Sequence, residues 1–133
     1  MKNELDFHRR GFRDIVEVDT IFVCGGTPTH LTPVLLDALF SLIYTHFQPV
    51  ADAEISVEAN PDGLDEDRLN VLRDHGVNRL SLGVQSFDES VLKALERTHT
   101  GVQAIETVQR CQQWISNISL DLIFGVPGQS LSS

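Results

Sequence analysis

The stretch Arg79–Gln85, RLSLGVQ, alternates without a break: Leu80, Leu82 and Val84 fall on one side, and Arg79, Ser81, Gly83 and Gln85 on the other. An extended chain sends successive side chains to opposite faces, so this stretch reads as a strand with one apolar and one polar face. The pattern recurs upstream, where Ile55 and Val57 alternate with Glu54, Ser56 and Glu58, and downstream, where Leu120 and Leu122 alternate with Ser119 and Asp121. Together with the β-favouring residues 19–24, this gives four expected strands, at 19–24, 54–59, 79–84 and 119–124.

Helical patterns separate them. Thr32 as N-cap and Pro33 at the first helical position open a helix with Leu36, Leu39, Phe40, Ile43 and Phe47 on one stripe. Asp65 caps a second helix, where Leu64 and Leu69 are spaced as a hydrophobic staple and Gly76 follows His75 as the stop. Asp88 caps a short third helix over 91–95, and Thr100 with Gln103 has capping-box spacing for a fourth that ends near Trp114. The order β-α-β-α-β-αα-β argues for an α/β fold with parallel strands joined by right-handed crossovers.

Parallel strands covered on both faces normally read as continuous apolar runs. Here the polar residues must face away from the helices, and Glu58, Gln85 and Asp121 all stand near the C-terminal ends of their strands. That edge is where α/β folds place ligand sites. The three side chains are therefore expected to converge on one cavity. Asp121 lies between two leucines in the most apolar segment of the chain, where an unpaired carboxylate is costly, so it needs a donor; a ribose diol offers two.

The connections after the strands are rich in turn formers: Gly25-Gly26-Thr27-Pro28, Asn60-Pro61-Asp62-Gly63, Gln85-Ser86-Phe87-Asp88 and Gly125-Val126-Pro127-Gly128. A glycine pair at a strand end serves as a tight turn or lets a ligand approach the main chain. No GxGxxG or GK[ST] pattern follows it. Arg97, after the short helix, is either a helix C-terminal cation or a guanidinium fork for a ligand carboxylate.

Composition narrows the classes further. The chain has 133 residues, 41% of them hydrophobic, which is one domain's worth with a real core. Its net charge is −9 and no run of Lys or Arg collects anywhere, which argues against a nucleic-acid surface. The longest apolar segment, 34–47, is interrupted by Asp37, Ser41 and Thr45, so no transmembrane segment and no secretory leader is read, and a cytoplasmic location is expected. Cys24 and Cys111 fit neither a disulfide framework nor a metal knuckle, the five histidines show no metal-ligand spacing, and no GxSxG elbow exists. Metal ligands and a catalytic nucleophile are not expected among these residues.

Four motifs in order, FVCGGTPTHL, SVEANPDGLD, GVNRLSLGVQSFD and LDLIFGVPGQS, resemble the radical S-adenosylmethionine (SAM) proteins of the oxygen-independent coproporphyrinogen III oxidase group, most of all its heme-chaperone branch. The resemblance runs from about residue 18 to residue 133 and implies a partial TIM-like (β/α)6 barrel, of which about four strands are present. It implies S-adenosylmethionine bound across the strand ends, with Gly25, Gly26 and Thr27 at its methionyl end and Glu58, Gln85, Arg97 and Asp121 on its methionyl and ribose groups. It also implies a [4Fe–4S] cluster, whose CxxxCxxC loop is not in these residues and would lie upstream. The family's GGGTP turn reads Cys24-Gly25-Gly26-Thr27-Pro28 here.

On this resemblance the chain is expected to be an interior piece of a longer radical SAM core domain. The first implied function is an oxidoreductase in which the cleaved cofactor abstracts hydrogen from a porphyrinogen. The second is a heme-binding chaperone on the same scaffold. A third reading, independent of both, is a cluster-free α/β ligand-binding module.

Overall fold

The computed structural model describes residues 2–9, 11 and 15–130. It contains four strands, β1 (Val16–Val23), β2 (Phe47–Ala59), β3 (Arg79–Gln85) and β4 (Asn117–Leu122), and five helices. The helices are α1 (Lys2–Arg9), α2 (Pro33–Tyr44), α3 (Glu66–Asp74), α4 (Glu89–Ala94) and α5 (Gly101–Cys111). All adjacent strands pair in parallel, in the order β1-β2-β3-β4, as expected from the alternating elements.

The helix ends follow the local chemistry. Thr32, Asp65, Asp88 and Thr100 each cap a helix through a side-chain oxygen, and Thr100 and Gln103 complete a reciprocal capping box. At the end of α3, Gly76 takes φ +74°, with Gly76 N–H bonded to Arg73 O at 2.9 Å and Val77 N–H to Leu72 O at 3.0 Å. This is the Schellman arrangement that glycine permits.

Several boundaries differ from the sequence reading. Phe47 continues the helical spacing of Ile43 but opens β2, because Thr45 caps α2 and residues 47–49 pair with β1. β2 then bulges, with residues 50–53 standing opposite Asp19 alone. Pro49 is tolerated because this end of β2 pairs only with β1. β4 starts at Asn117 and stops at Leu122, leaving Ile123 and Phe124 beyond it, and α5 stops at Cys111, with 112–114 in a turn. Helix α1, absent from the sequence reading, is tied to the end of α2 by Asp6 and His46 at 2.9 Å.

The core lies between the helices and the apolar strand face. Leu36 and Phe40 of α2, Leu72 of α3, Val57 of β2 and Leu80, Leu82 and Val84 of β3 are completely buried. Burial of this kind is the main stabilising term, roughly 1.5–3 kcal/mol per large side chain. No helix among the described residues is long and apolar enough to cross a membrane.

Candidate functional site

β1 delivers the chain into a turn in which Gly25, Gly26 and Thr27 all have positive φ, at +81°, +77° and +48°. Nothing lies within 4 Å of where a Cβ would stand on either glycine, so conformation rather than crowding selects them. The end of β2 grips this turn twice. Gly25 N–H donates to Glu58 Oε2 at 3.2 Å, and Asn60 Nδ2 donates to Thr27 Oγ1 at 3.3 Å.

Register places the polar residues on one face. Glu58 pairs with Ser81, and Ser81 with Ser119. The Ser81 hydroxyl donates to the Asp121 carboxylate, 3.0 Å from Oδ2 and 3.2 Å from Oδ1, so its contact with Ser119 Oγ at 3.1 Å has Ser119 as donor. Glu58 and Asp121 therefore stand on the two strands that flank Ser81. Asp121 is exposed among the described residues, as are Leu120 and Leu122, and Ser81 supplies the donor its carboxylate was expected to need.

Gln85 is buried and takes φ +67° where the β3–β4 register shifts. A non-glycine residue held at positive φ stores strain and is frequent at ligand sites. Its Nε2 lies 2.9 Å, and Asn60 Oδ1 2.7 Å, from the point a Cβ on Gly83 would occupy. A side chain at Gly83 would have to displace the ends of these two amide side chains. Farther down the same face, Glu54 accepts from Ser56 at 2.7 Å and from Arg79 at 3.1 Å, and these bonds, Ser56 first, hold its carboxyl below the usual range.

Arg97 is placed by the end of α4. Glu96 takes φ +54°, and Arg97 N–H bonds to Leu92 O at 2.9 Å. The next residues anchor the segment to neighbouring turns, the Thr98 hydroxyl on the Asp62 carboxylate and His99 Nε2 on Val84 O at 2.9 Å. Arg97 itself is half-buried, and no ion pair or side-chain hydrogen bond among the described residues holds its guanidinium. Thus Gly25, Gly26, Thr27, Glu58, Gln85 and Asp121 gather on one face of the strand ends, while no contact joins Arg97 to them.

Two polar residues in this network, Asn60 and Ser81, were not singled out by the sequence. Each was legible only as a position sharing parity with a candidate, Asn60 with Glu58 and Ser81 with Gln85.

A cavity of about 630 Å³ runs along β1, with an apolar lining that includes Leu5, Ile21, Val23, Leu39 and Ile43, and shares Gly25, Gly26 and Thr27 with the site at one end. Among the described residues no group of three His, Cys, Asp or Glu could hold a metal ion; the side chain of His8 lies outside them. Cys24 is exposed, whereas Cys111 is buried and burial pushes its thiol up to about 11. The donors a [4Fe–4S] cluster requires are therefore not furnished here.

Comparison with known proteins gives this geometry a family. Residues 5–133 match the Radical SAM superfamily, a span that begins upstream of the motifs at residue 18. The chain is 43% identical over 117 residues to the heme chaperone HemW of Bacillus subtilis, covering 86% of this chain and 31% of that protein. It is 39% identical over 119 residues to the oxygen-independent coproporphyrinogen-III oxidase-like protein HemZ of the same organism, covering 87% and 24%. Among solved structures, coproporphyrinogen III oxidase (HemN) from Escherichia coli, a radical SAM enzyme, superposes with TM-score 0.87 at 32% identity over 97% of this chain and 30% of that one. The chain thus spans about a third or less of the length of these proteins.

Proposed function

We propose that this chain, which belongs to the radical SAM superfamily, is the S-adenosylmethionine-binding part of a heme- or porphyrinogen-handling protein of the coproporphyrinogen III oxidase-like group. The observation that carries the reading is the single polar face on which Glu58, Gln85 and Asp121 stand around Ser81 and Gly83, beside an open glycine turn.

S-adenosylmethionine fits this donor set. Its ribose hydroxyls are donors suited to carboxylates such as those of Glu58 and Asp121. Its methionyl group carries an ammonium and a carboxylate, for which the turn at Gly25 and Gly26 leaves room, Gln85 offers an amide, and Arg97 offers an uncommitted guanidinium. The cofactor supplies the radical chemistry; these residues bind and orient it. No step is assigned to a cluster, since these residues offer it no thiolate set.

Heme delivery is favoured over porphyrinogen oxidation by the names of the relatives at 36–43% identity, several of which are heme chaperones. The oxidase reading is kept because of the close superposition on HemN. Both are preferred to a cluster-free ligand-binding module, given the family match.

The test is equilibrium dialysis of S-adenosylmethionine against the complete natural protein that contains these residues. Binding is expected, and is weakened by Glu58→Ala and by Asp121→Ala; full affinity in both variants would overturn the assignment. Titration with heme, set beside an assay for oxidative decarboxylation of coproporphyrinogen, separates the two roles.

A further inference from the structure

We infer that Asn60 is a positioning residue of this site, one amide that ties the glycine turn, through Thr27, to the end of β2. The inference rests on the reading of this face as the S-adenosylmethionine site.

Asn60 is two residues beyond Glu58, so on an extended chain both side chains point to the polar face. Its backbone is held extended, at φ −109° and ψ 150°, and its carbonyl accepts the Gly63 N–H at 3.1 Å, closing the Pro61–Gly63 turn. The side chain then has little freedom. Nδ2 donates to the Thr27 hydroxyl at 3.3 Å, and Oδ1 lies 2.7 Å from where a Cβ on Gly83 would stand.

The second grip on the turn, Glu58 on Gly25 N–H, is made by a carboxylate that the ligand itself is proposed to engage. When Glu58 turns to a ribose hydroxyl, Asn60 becomes the side chain that still ties the turn to β2. Thr27 needs such a tie, because it holds φ +48° without glycine's freedom. Asn60 bonds to this strained residue directly. It meets ligand through the turn, which makes its role one of positioning and not of catalysis.

The experiment measures the S-adenosylmethionine dissociation constant of the complete natural protein and of four variants, Asn60→Ala, Asn60→Asp, Thr27→Val and the double variant Asn60→Ala/Thr27→Val. Loss of one hydrogen bond in the site is expected to raise the constant about tenfold in Asn60→Ala. Asn60→Asp removes the amide donor but offers a carboxylate to which the Thr27 hydroxyl can turn and donate, and should restore affinity to within about threefold of the parent, on the scale of one re-formed hydrogen bond. The double variant should bind no more weakly than Asn60→Ala, because both substitutions remove the same bond. A merely structural role gives additive losses and no rescue by aspartate.

Parent-like affinity in Asn60→Ala, or additivity in the double variant, overturns the inference while leaving the functional reading intact. Absence of binding by the parent protein overturns both.

Discussion

β3 and β4 carry the same alternation and meet different fates. On β3 the apolar residues Leu80, Leu82 and Val84 are sealed under the helices, whereas on β4 Leu120 is 38% and Leu122 57% exposed. On the polar face the two strands behave alike: Ser81 and Asp121 find each other across the pair at 3.0 Å. The contrast separates two kinds of information. Strand register, set by main-chain pairing, is enough to assemble the polar face, while burial of the apolar face depends on what packs above each strand.

The largest effect that can test this contrast lies in the core. Leu82→Ala should destabilise the 133-residue chain by about 2–5 kcal/mol, and Leu122→Ala by about 0.5 kcal/mol or less, as read by urea unfolding. Equal losses would break the distinction between the two strands. Next comes the polar face. Asp121→Ala in the complete natural protein should weaken S-adenosylmethionine binding by about 1–3 kcal/mol, the range for leaving a buried ligand group unsatisfied, with little change in unfolding midpoint.

Ser81→Ala sharpens the same point with a smaller loss, about 0.5–1.5 kcal/mol of binding, since it removes only the hydroxyl that aims the carboxylate. The smallest effect is outside the site. Hydrogen bonds from Ser90, then from the Val91 and Ser90 main chain, hold the Asp88 carboxyl below its ordinary value. A carboxyl whose folded value is depressed contributes stability that is complete above the unfolded value and is lost as pH falls through the folded one. Asp88→Asn should therefore lower stability slightly at neutral pH and leave strongly acid pH almost untouched, which flattens the acid limb of the stability curve.

Much of this arrangement was legible beforehand because alternation and capping are local. RLSLGVQ and EISVEA fix their own faces, and Thr32, Asp65, Asp88 and Thr100 announce their helices. The start of β2 was not legible, because Phe47 sits at helical spacing from Ile43 and only pairing with Val16 reveals it as strand. Asp121 was expected to need a donor, but which one was not legible, because Ser81 reaches it only through the β3–β4 pairing. Asn60 and Ser81 carry no spacing signature of their own. Their roles come from long-range contacts, 33 residues apart for Asn60 and Thr27 and 40 for Ser81 and Asp121.

The most direct measurement is a crystal structure of the complete natural protein with S-adenosylmethionine. The ribose should lie on the polar sheet face within hydrogen-bonding distance of Glu58 and Asp121, its methionyl end against Gly25 and Gly26. A cofactor seated instead in the apolar cavity lined by Leu5, Ile21, Leu39 and Ile43 would contradict the account.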